Sequence, residues 1–280
     1  MKLGLYGINL GACVDPEAAA AVARAAEAAG FDSVWTAEHV VLPDPQTPDS
    51  PIPARTPLLD PAVALAHVAA HTRSIRLGTG IIILPQRNPV VLAKELASVD
   101  VLSGGRLIFG VGAGYLASEF AALGASFADR GERTSEYIEA VRALWTQPKP
   151  SFAGRFVAFS AIDAQPRPVQ KPHPPIVVSG MSPPALRRAV RQGNGWYGFA
   201  LDPDTTERCV AGLRGAEAEV GRPAALGSLE ISVTPTGSVD ADTASRYADL
   251  GVDRLIVLAL GGSAEDLIAA VESTANAVLG

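Results

Sequence analysis

The sequence predicts an α/β fold, a single (β/α)8 TIM barrel with insertion loops, and three observations carry that expectation. Short apolar, β-branched runs alternate with longer Ala-rich amphipathic stretches, and the alternation occurs eight times. Most of the short runs, IRLGTGI and RLIFGVG among them, are apolar almost throughout, as suits strands covered on both faces of a parallel sheet. The 280 residues leave one versus two domains open, but eight units in that length fit one closed barrel of about 250 residues plus insertions. One domain over residues 1–280 is therefore expected.

The expected strands are Leu3–Ile8, Ser33–Ala37, Ile75–Ile81, Arg106–Val111, Pro175–Ser179, Gly195–Phe199, Gly227–Val233 and Arg254–Leu258. Helix starts are marked by an acid or amide followed by proline: Asp15-Pro16, Asp60-Pro61, Asn88-Pro89 and Asp202-Pro203. There the side chain caps free N–H groups, and proline occupies a first-turn position that needs no donor. Ser263 opens the last helix, with Asp266 in the capping-box place, and Asp240 or Asp242 opens the one before it. Gly30 ends the first helix.

Two stretches break the rhythm. Residues 40–59 are proline-rich without helical period and leave a strand end directly, which makes them the better candidate for an active-site lid. Residues 147–174 hold six prolines around the alternating segment GRFVAFS, which reads as an insertion with a short strand pair.

Composition excludes several classes. A net charge of −6 argues against bulk nucleic-acid or anionic-membrane binding. Two cysteines, Cys13 and Cys209, make neither a disulfide framework nor a zinc site by themselves. No apolar run reaches the ~20 residues of a membrane span. The N-terminus turns at once into a glycine-punctuated strand rather than a signal peptide, so a cytoplasmic location is expected.

A barrel places its chemistry at the C-terminal ends of its strands. Those ends carry glycines, small hydroxyls and aromatics and few carboxylates, a set suited to holding a flat ring and a phosphate. Glu38-His39 is the acid–imidazole pair among them, with His39 able to protonate a substrate or bond a cofactor ring and Glu38 beside it. The glycines of Gly78-Thr79-Gly80-Ile81 mark either a backbone approached by a ring or tight helix–strand packing. Gly110-Val-Gly-Ala-Gly-Tyr115 does not match the dinucleotide fingerprint, although a backbone nest for phosphate oxygens is compatible with it. Ser179-Gly180-Met181-Ser182 leads into a helix beginning Pro183-Pro184, which offers an anion site or an ordinary cap. His67 and His71, four apart on a helix, lack the surroundings of a metal motif, so no metal is expected. His173, Trp35, Trp145, Arg106, Arg130 and Arg133 read as structural. Arg106 is expected to pair with Asp100, and Arg130 and Arg133 with Glu132 and Glu136. Trp196 is expected to line the pocket.

Five segments then carry a family resemblance: GFDSVWTAEHVVLP (30–43), TRSIRLGTGIIILPQRNPVVLAKELASVDVLSGGRLIFGVGAGY (72–115), RGERTSEYIEAVRALW (130–145), PRPVQKPHPPIVVSG (166–180) and GNGW (193–196). Together they cover about half the chain. In this order they resemble the bacterial-luciferase-like superfamily, and more closely its coenzyme F420-dependent oxidoreductases. The resemblance implies a (β/α)8 barrel and hydride transfer between the deazaflavin F420 and a small organic substrate. It implies catalytic roles for His39 and Glu38 beside the ring. Thr79, Gly80 and Ile81 would form a bulge against the ring, where many members have a non-proline cis peptide. Gly112, Ala113, Gly114 and Tyr115 would lie along the ribityl chain, and Val178, Ser179, Gly180 and Met181 would form the phosphate turn. Homodimers are common in the family. FMN-dependent monooxygenation on the same barrel is the alternative chemistry, and a non-catalytic flavin or deazaflavin carrier the alternative class. Two departures stand out. Tyr115 occupies a position where tryptophan is frequent, and the extra basic residues of members with sugar-phosphate substrates have no matching set here. Asn9 falls where members vary, so strand 1 is expected to help set substrate choice, together with the 40–59 loop and the ends of strands 7 and 8.

Overall fold

A computed structural model describes residues 1–258 and 261–280. Eight strands are β1 (Lys2–Tyr6), β2 (Ser33–Thr36), β3 (Arg76–Thr79), β4 (Leu107–Gly112), β5 (Ile176–Ser179), β6 (Gly195–Leu201), β7 (Glu230–Pro235) and β8 (Arg254–Leu258). Each pairs in parallel with its sequence neighbour, β8 pairs with β1, and β3 pairs with β4, so the sheet closes into a barrel. Helices α1 (Pro16–Ala28), α2 (Pro61–His71), α3 (Pro89–Leu102), α4 (Ala117–Ala122), α5 (Arg130–Thr146), α6 (Pro183–Gln192), α7 (Pro203–Val220), α8 (Ala241–Asp249) and α9 (Ala264–Val278) run between and after the strands. This is the expected (β/α)8 barrel.

The caps form as local sequence dictates. Asp15 accepts from the Ala18 N–H, Asp60 from Ala62 and Val63, Asn88 from Val90 and Val91, Asp202 from Thr205, and Asp240 from Thr243. Ser263 accepts from the Asp266 N–H, but the Asp266 carboxylate reaches back to the Gly262 N–H, one residue short of a reciprocal capping box.

Inside the barrel the glycines serve packing. The buried Trp35 ring lies against β3, and a Cβ at Gly78 would stand 2.4 Å from it. A Cβ at Gly110 would stand 1.8 Å from the Thr79 carbonyl oxygen, closer than any side chain tolerates. Trp35 stacks on Tyr197 at 5.7 Å between centroids and fills the barrel with Ile108, Val177 and Ile256. The N-terminal face is sealed by Arg254, fully buried, which donates to Asp32 at 2.7 Å and to Glu230.

Three expected ion pairs are replaced. Arg106 bonds to carbonyl oxygens of Ala69, Thr72, Ile75 and Ser103 and to the Thr72 hydroxyl, whereas Asp100 accepts from the backbone and side chain of Gln170. The cause is helix ends: the guanidinium satisfies the last carbonyls of α2, which have no helical partners. Arg133 pairs with Asp129 one turn back. Arg130 donates to carbonyls of Gly114 and Phe127. Glu136 instead accepts from three consecutive N–H groups, Arg155 to Val157, at 2.7–2.8 Å. Those donors belong to the turn of the expected hairpin, Phe152–Ala153 against Ala158–Phe159, so Glu136 moors the insertion onto α5.

The third strand departs from its expected span. It stops at Thr79, the Gly80–Ile81 peptide is cis, and Ile82–Ile83 then pairs with Val111–Gly112. Among the described residues no helix is long and apolar enough to cross a membrane, and no cluster of three or more His, Cys, Asp or Glu side chains could hold a metal ion.

Candidate functional site

A cavity of ≈ 1230 Å³ opens at the C-terminal ends of the strands. Its lining is divided by polarity. Leu10 after β1, Pro51 and Ile52 from the 40–59 loop, and Leu258 at the end of β8 make an apolar side. Arg130 at the start of α5, and Arg187, Arg188 and Arg191 on α6, outnumber Glu132 and Glu139 of α5 on a charged side. Because strand order follows sequence order, the β8–β1–β2 and β4–β5–β6 sectors face each other across the barrel.

Between them lies a floor of Gly80, Ile81, Gly112 and Ala113, with Tyr197 and Phe199 from β6. A Cβ at Gly112 would stand 2.6 Å from the Ile81 side chain, so glycine there lets Ile81 lie flat across β4. Gly180 adopts φ +122°, a backbone that only glycine takes readily, and its carbonyl accepts from the Trp196 indole at 2.9 Å. This bend turns the chain from β5 into α6, whose N-cap Ser182 makes no side-chain cap bond and lines the cavity. Two prolines occupy the first turn, so free N–H groups there are fewer than at an ordinary helix start, and the arginines carry most of the positive character.

His39 lines the cavity with its ring Nδ1 3.0 Å from Oε2 of Glu119, a carboxylate wholly buried at the start of α4. Oε1 of Glu119 accepts from the Val40 N–H at 2.7 Å. Burial raises the Glu119 carboxyl, but the His39 ring and the Val40 N–H outweigh it and hold the group below the usual carboxylate range. Glu38 lines the cavity too but has other partners: it accepts from the Ile83 N–H and from the Arg87 guanidinium, and its side chain is 2% exposed. Burial pushes the Glu38 carboxyl up, against the pull of Arg87. Burial likewise raises the Tyr6 phenol, so it faces the cavity neutral at physiological pH.

The chain from residue 6 to residue 275 matches the family model described as luciferase-like monooxygenase. The chain belongs to the luciferase-like monooxygenase family. An uncharacterised family relative from Mycobacterium tuberculosis is 35% identical over 267 residues, covering 91% of this chain and 92% of that one. The F420-dependent hydroxymycolic acid dehydrogenase of the same species is 32% identical over 231 residues, covering 81% of this chain and 61% of that protein. Among solved structures, an F420-dependent secondary alcohol dehydrogenase in complex with an F420-acetone adduct superposes with a TM-score of 0.80 at 17% identity, covering 99% of this chain and 98% of that one. The monooxygenase RslO1 from Streptomyces bottropensis gives 0.78 at 23%, covering 100% and 99%. These two likenesses concern the fold.

Of the residues expected at this luciferase-like site, Glu38, His39, Gly80, Ile81, Gly112, Ala113, Gly114, Tyr115, Ser179 and Gly180 line the cavity. Thr79, Val178 and Met181 do not. The Thr79 hydroxyl bridges the N–H and carbonyl of Gly110 at 2.8 and 2.7 Å inside the wall, Val178 is in the core, and Met181 is on the surface. Trp196 is fully buried behind the wall rather than lining it. Asn9, expected to influence substrate choice, is also fully buried and bonded to Ala37 and Leu59. At the end of β8, also expected to influence substrate choice, Leu258 lines the cavity, and residues 259–260 lie outside the described residues.

Sequence reasoning missed Glu119 and did not name the arginines of α6. Arg187 and Arg191 are one helical turn apart on a helix that leaves the Ser179–Ser182 bend, a spacing that places both at one side of the cavity mouth. Glu119 carried no such signal, since its partner is 80 residues away in the chain.

Proposed function

We propose that this protein is an oxidoreductase that binds coenzyme F420 in the cavity and acts on an uncharged, largely apolar small molecule. The observation that carries the reading is the polarity divide of the cavity, with four arginines against two glutamates on one side and an apolar wall on the other. F420 combines a flat ring with a phosphate and an acidic tail, and the donor set fits each part. Gly80, Ile81, Gly112 and Ala113 would support the ring. Gly114, Ser179, Gly180 and Ser182 would receive the ribityl chain and phosphate, and Arg187 and Arg191 would hold the anionic tail, with Arg130 and Arg188, already bonded to backbone carbonyls, adding positive charge behind them. The F420-dependent relative at 32% identity supports the same cofactor. When bound, F420 supplies a carbon centre that exchanges hydride, without the ready oxygen chemistry of ordinary flavins.

The chain's own residues orient, exclude water and move a proton. His39 is the proton-handling side chain, because its Nε2 has no partner among the described residues while burial raises Tyr6 and Tyr115, the unpartnered phenols of the lining, above their ordinary range. Glu38 holds the Ile81–Ile83 segment under the ring site. The apolar wall of Leu10, Pro51, Ile52 and Leu258 bears no charged side chain, so a charged substrate would lose its hydration there without compensation.

FMN is the alternative occupant, since its single phosphate would meet the same serine bend. Two arginines on α6 beyond that bend favour a longer anionic tail. Titration of the cofactor-free protein with F420 and with FMN tests the reading. Micromolar or tighter F420 binding with much weaker FMN binding is expected. FMN binding without F420 binding overturns it. Cofactor binding with no turnover across a panel of neutral alcohols and ketones would make the protein a carrier.

A further inference from the structure

We infer that Glu119 is a positioning residue that fixes which imidazole nitrogen of His39 carries the proton. The carboxylate is acceptor-only when ionised, and its two oxygens are both committed, Oε2 to His39 Nδ1 at 3.0 Å and Oε1 to the Val40 N–H at 2.7 Å. Nδ1 must therefore hold the hydrogen. The neutral ring then presents the lone pair of Nε2 to the cavity, where no described residue engages it. A solvent-exposed neutral histidine has no such constraint on its two forms. The Glu119 side chain is 0% exposed, so water does not compete for the contact.

The same carboxylate ties two elements together. Val40 is the first residue of the 40–59 loop, and His39 is the last before it. Glu119 holds both from α4. One side chain thus bonds both the imidazole and the first N–H of the loop.

The geometry makes a sharp prediction for Glu119→Gln, which is nearly isosteric. The Val40 N–H still needs an acceptor, so the new amide oxygen stays on it. The amide NH2 is then left facing His39 Nδ1, which must become an acceptor. The ring hydrogen moves to Nε2, and the cavity side of His39 changes from acceptor to donor. Inverting a tautomer in this way, with geometry kept, costs a histidine base on the order of 10²- to 10⁴-fold in rate.

The test is nitrogen NMR of the cofactor-free protein carrying 15N-histidine, at a pH where the rings are neutral. The four histidines are separated by comparison with a His39→Asn variant. Wild type is expected to show His39 as the Nδ1–H form and Glu119→Gln as the Nε2–H form. A wild-type His39 protonated on Nε2 overturns the inference, whether or not the variant folds. An unchanged tautomer in a folded Glu119→Gln overturns it equally. In the loaded enzyme, kcat is expected to fall at least a hundredfold with KM changed little. The role of His39 as base rests on the proposed function, but the tautomer does not. Failure to bind F420 with the expected tautomers would remove the cofactor reading and leave the Glu119–His39 relationship standing.

Discussion

Arg87 clasps Glu38 from the far side of the cavity wall. Its Nε lies 2.8 Å from Glu38 Oε1, its Nη2 also reaches that oxygen, and the same nitrogen donates to Asp60 at 2.9 Å. Burial alone would make Arg87 less basic, but the carboxylates of Glu38 and Asp60 raise it above its ordinary value. A buried acid expected to join His39 is therefore employed in bracing the segment after β3, while Asp60 serves both the α2 cap and the guanidinium.

Removing the guanidinium leaves Glu38 buried without its counter-charge. Arg87→Ala is expected to cost about 3–5 kcal/mol, because the abandoned carboxylate keeps its desolvation penalty. By thermal denaturation this should read as a fall in Tm of roughly 6–15 °C. Arg87→Lys should recover part of it, since an ammonium restores charge but not the two-pronged geometry. Equal Tm values for wild type and Arg87→Ala would show that Glu38 is not held as described.

His39→Ala separates binding from chemistry. The ring lines the cavity but contributes little of its floor, so F420 affinity should change less than threefold. Turnover should fall on the order of 10²- to 10⁴-fold, the usual worth of a positioned acid or base. Retained turnover would remove the assignment of His39.

These contrasts show what a sequence carries. Caps such as Asp15, Asp60 and Asp202 are local, each side chain meeting an N–H two or three residues on, so spacing alone revealed them. Strands covered on both faces announce themselves by continuous apolar runs, and the cavity floor followed from strand ends. The pairing of Glu119 with His39, and of Glu136 with the insertion turn, depends on how separate elements meet. So does the choice between ring support and packing for glycines: Gly78 and Gly110 serve Trp35 and Thr79, whereas Gly80 and Gly112 reach the cavity.

Asn9 gives a prediction that runs against the sequence expectation. Its amide donates to the carbonyls of Ala37 and Leu59 at 2.9 and 2.6 Å and accepts from the Ala37 N–H at 2.8 Å. It thus clamps the two ends of the 40–59 loop to β1. Asn9→Ala would leave one buried donor and two carbonyls short of a partner, at about 1–3 kcal/mol. Faster proteolysis and faster hydrogen exchange within residues 40–59 are expected, with the order of preference among neutral substrates unchanged. A reordered preference without loosening would restore Asn9 as a specificity residue.

The double variant Arg187→Ala, Arg191→Ala distinguishes the two cofactors. Arg187 is partly exposed and its contact with Glu219 is loose, at 3.4 Å, so little of the fold depends on it. Arg191 donates to the Val220 carbonyl at 3.1 Å, a modest exposed contact. F420 affinity should drop tenfold or more, with a shallower salt dependence, while any FMN affinity should change by less than threefold. Calorimetric titration at two salt concentrations reads both. Equal losses for the two ligands would place the arginines at the shared phosphate instead of the tail.

Glu27 supplies a stability switch at acid pH. Its carboxylate, at the end of α1, accepts from the N–H groups of Arg73, Ser74 and Ile75 at 2.9, 2.6 and 2.8 Å and from the Ser74 hydroxyl at 3.0 Å. Partial burial pushes the group up, but these four donors prevail and lower it to about 2 from 4.5. An acid whose folded pKa is depressed stabilises the fold above its unfolded pKa, and that contribution fades as pH falls toward the folded value. For Glu27 the window therefore runs from about 4.5 down to about 2. Glu27→Gln keeps the shape, loses the charge, and turns an amide NH2 toward a cluster of donors. Because the site is open to solvent, its cost at neutral pH is discounted to roughly 1–2 kcal/mol. The stability gap between wild type and Glu27→Gln, followed by urea unfolding, should be constant from pH 7 to about 5 and shrink steadily below that. A gap that stays constant down to pH 3 would mean that the loss comes from the misdirected amide NH2 rather than from the charge.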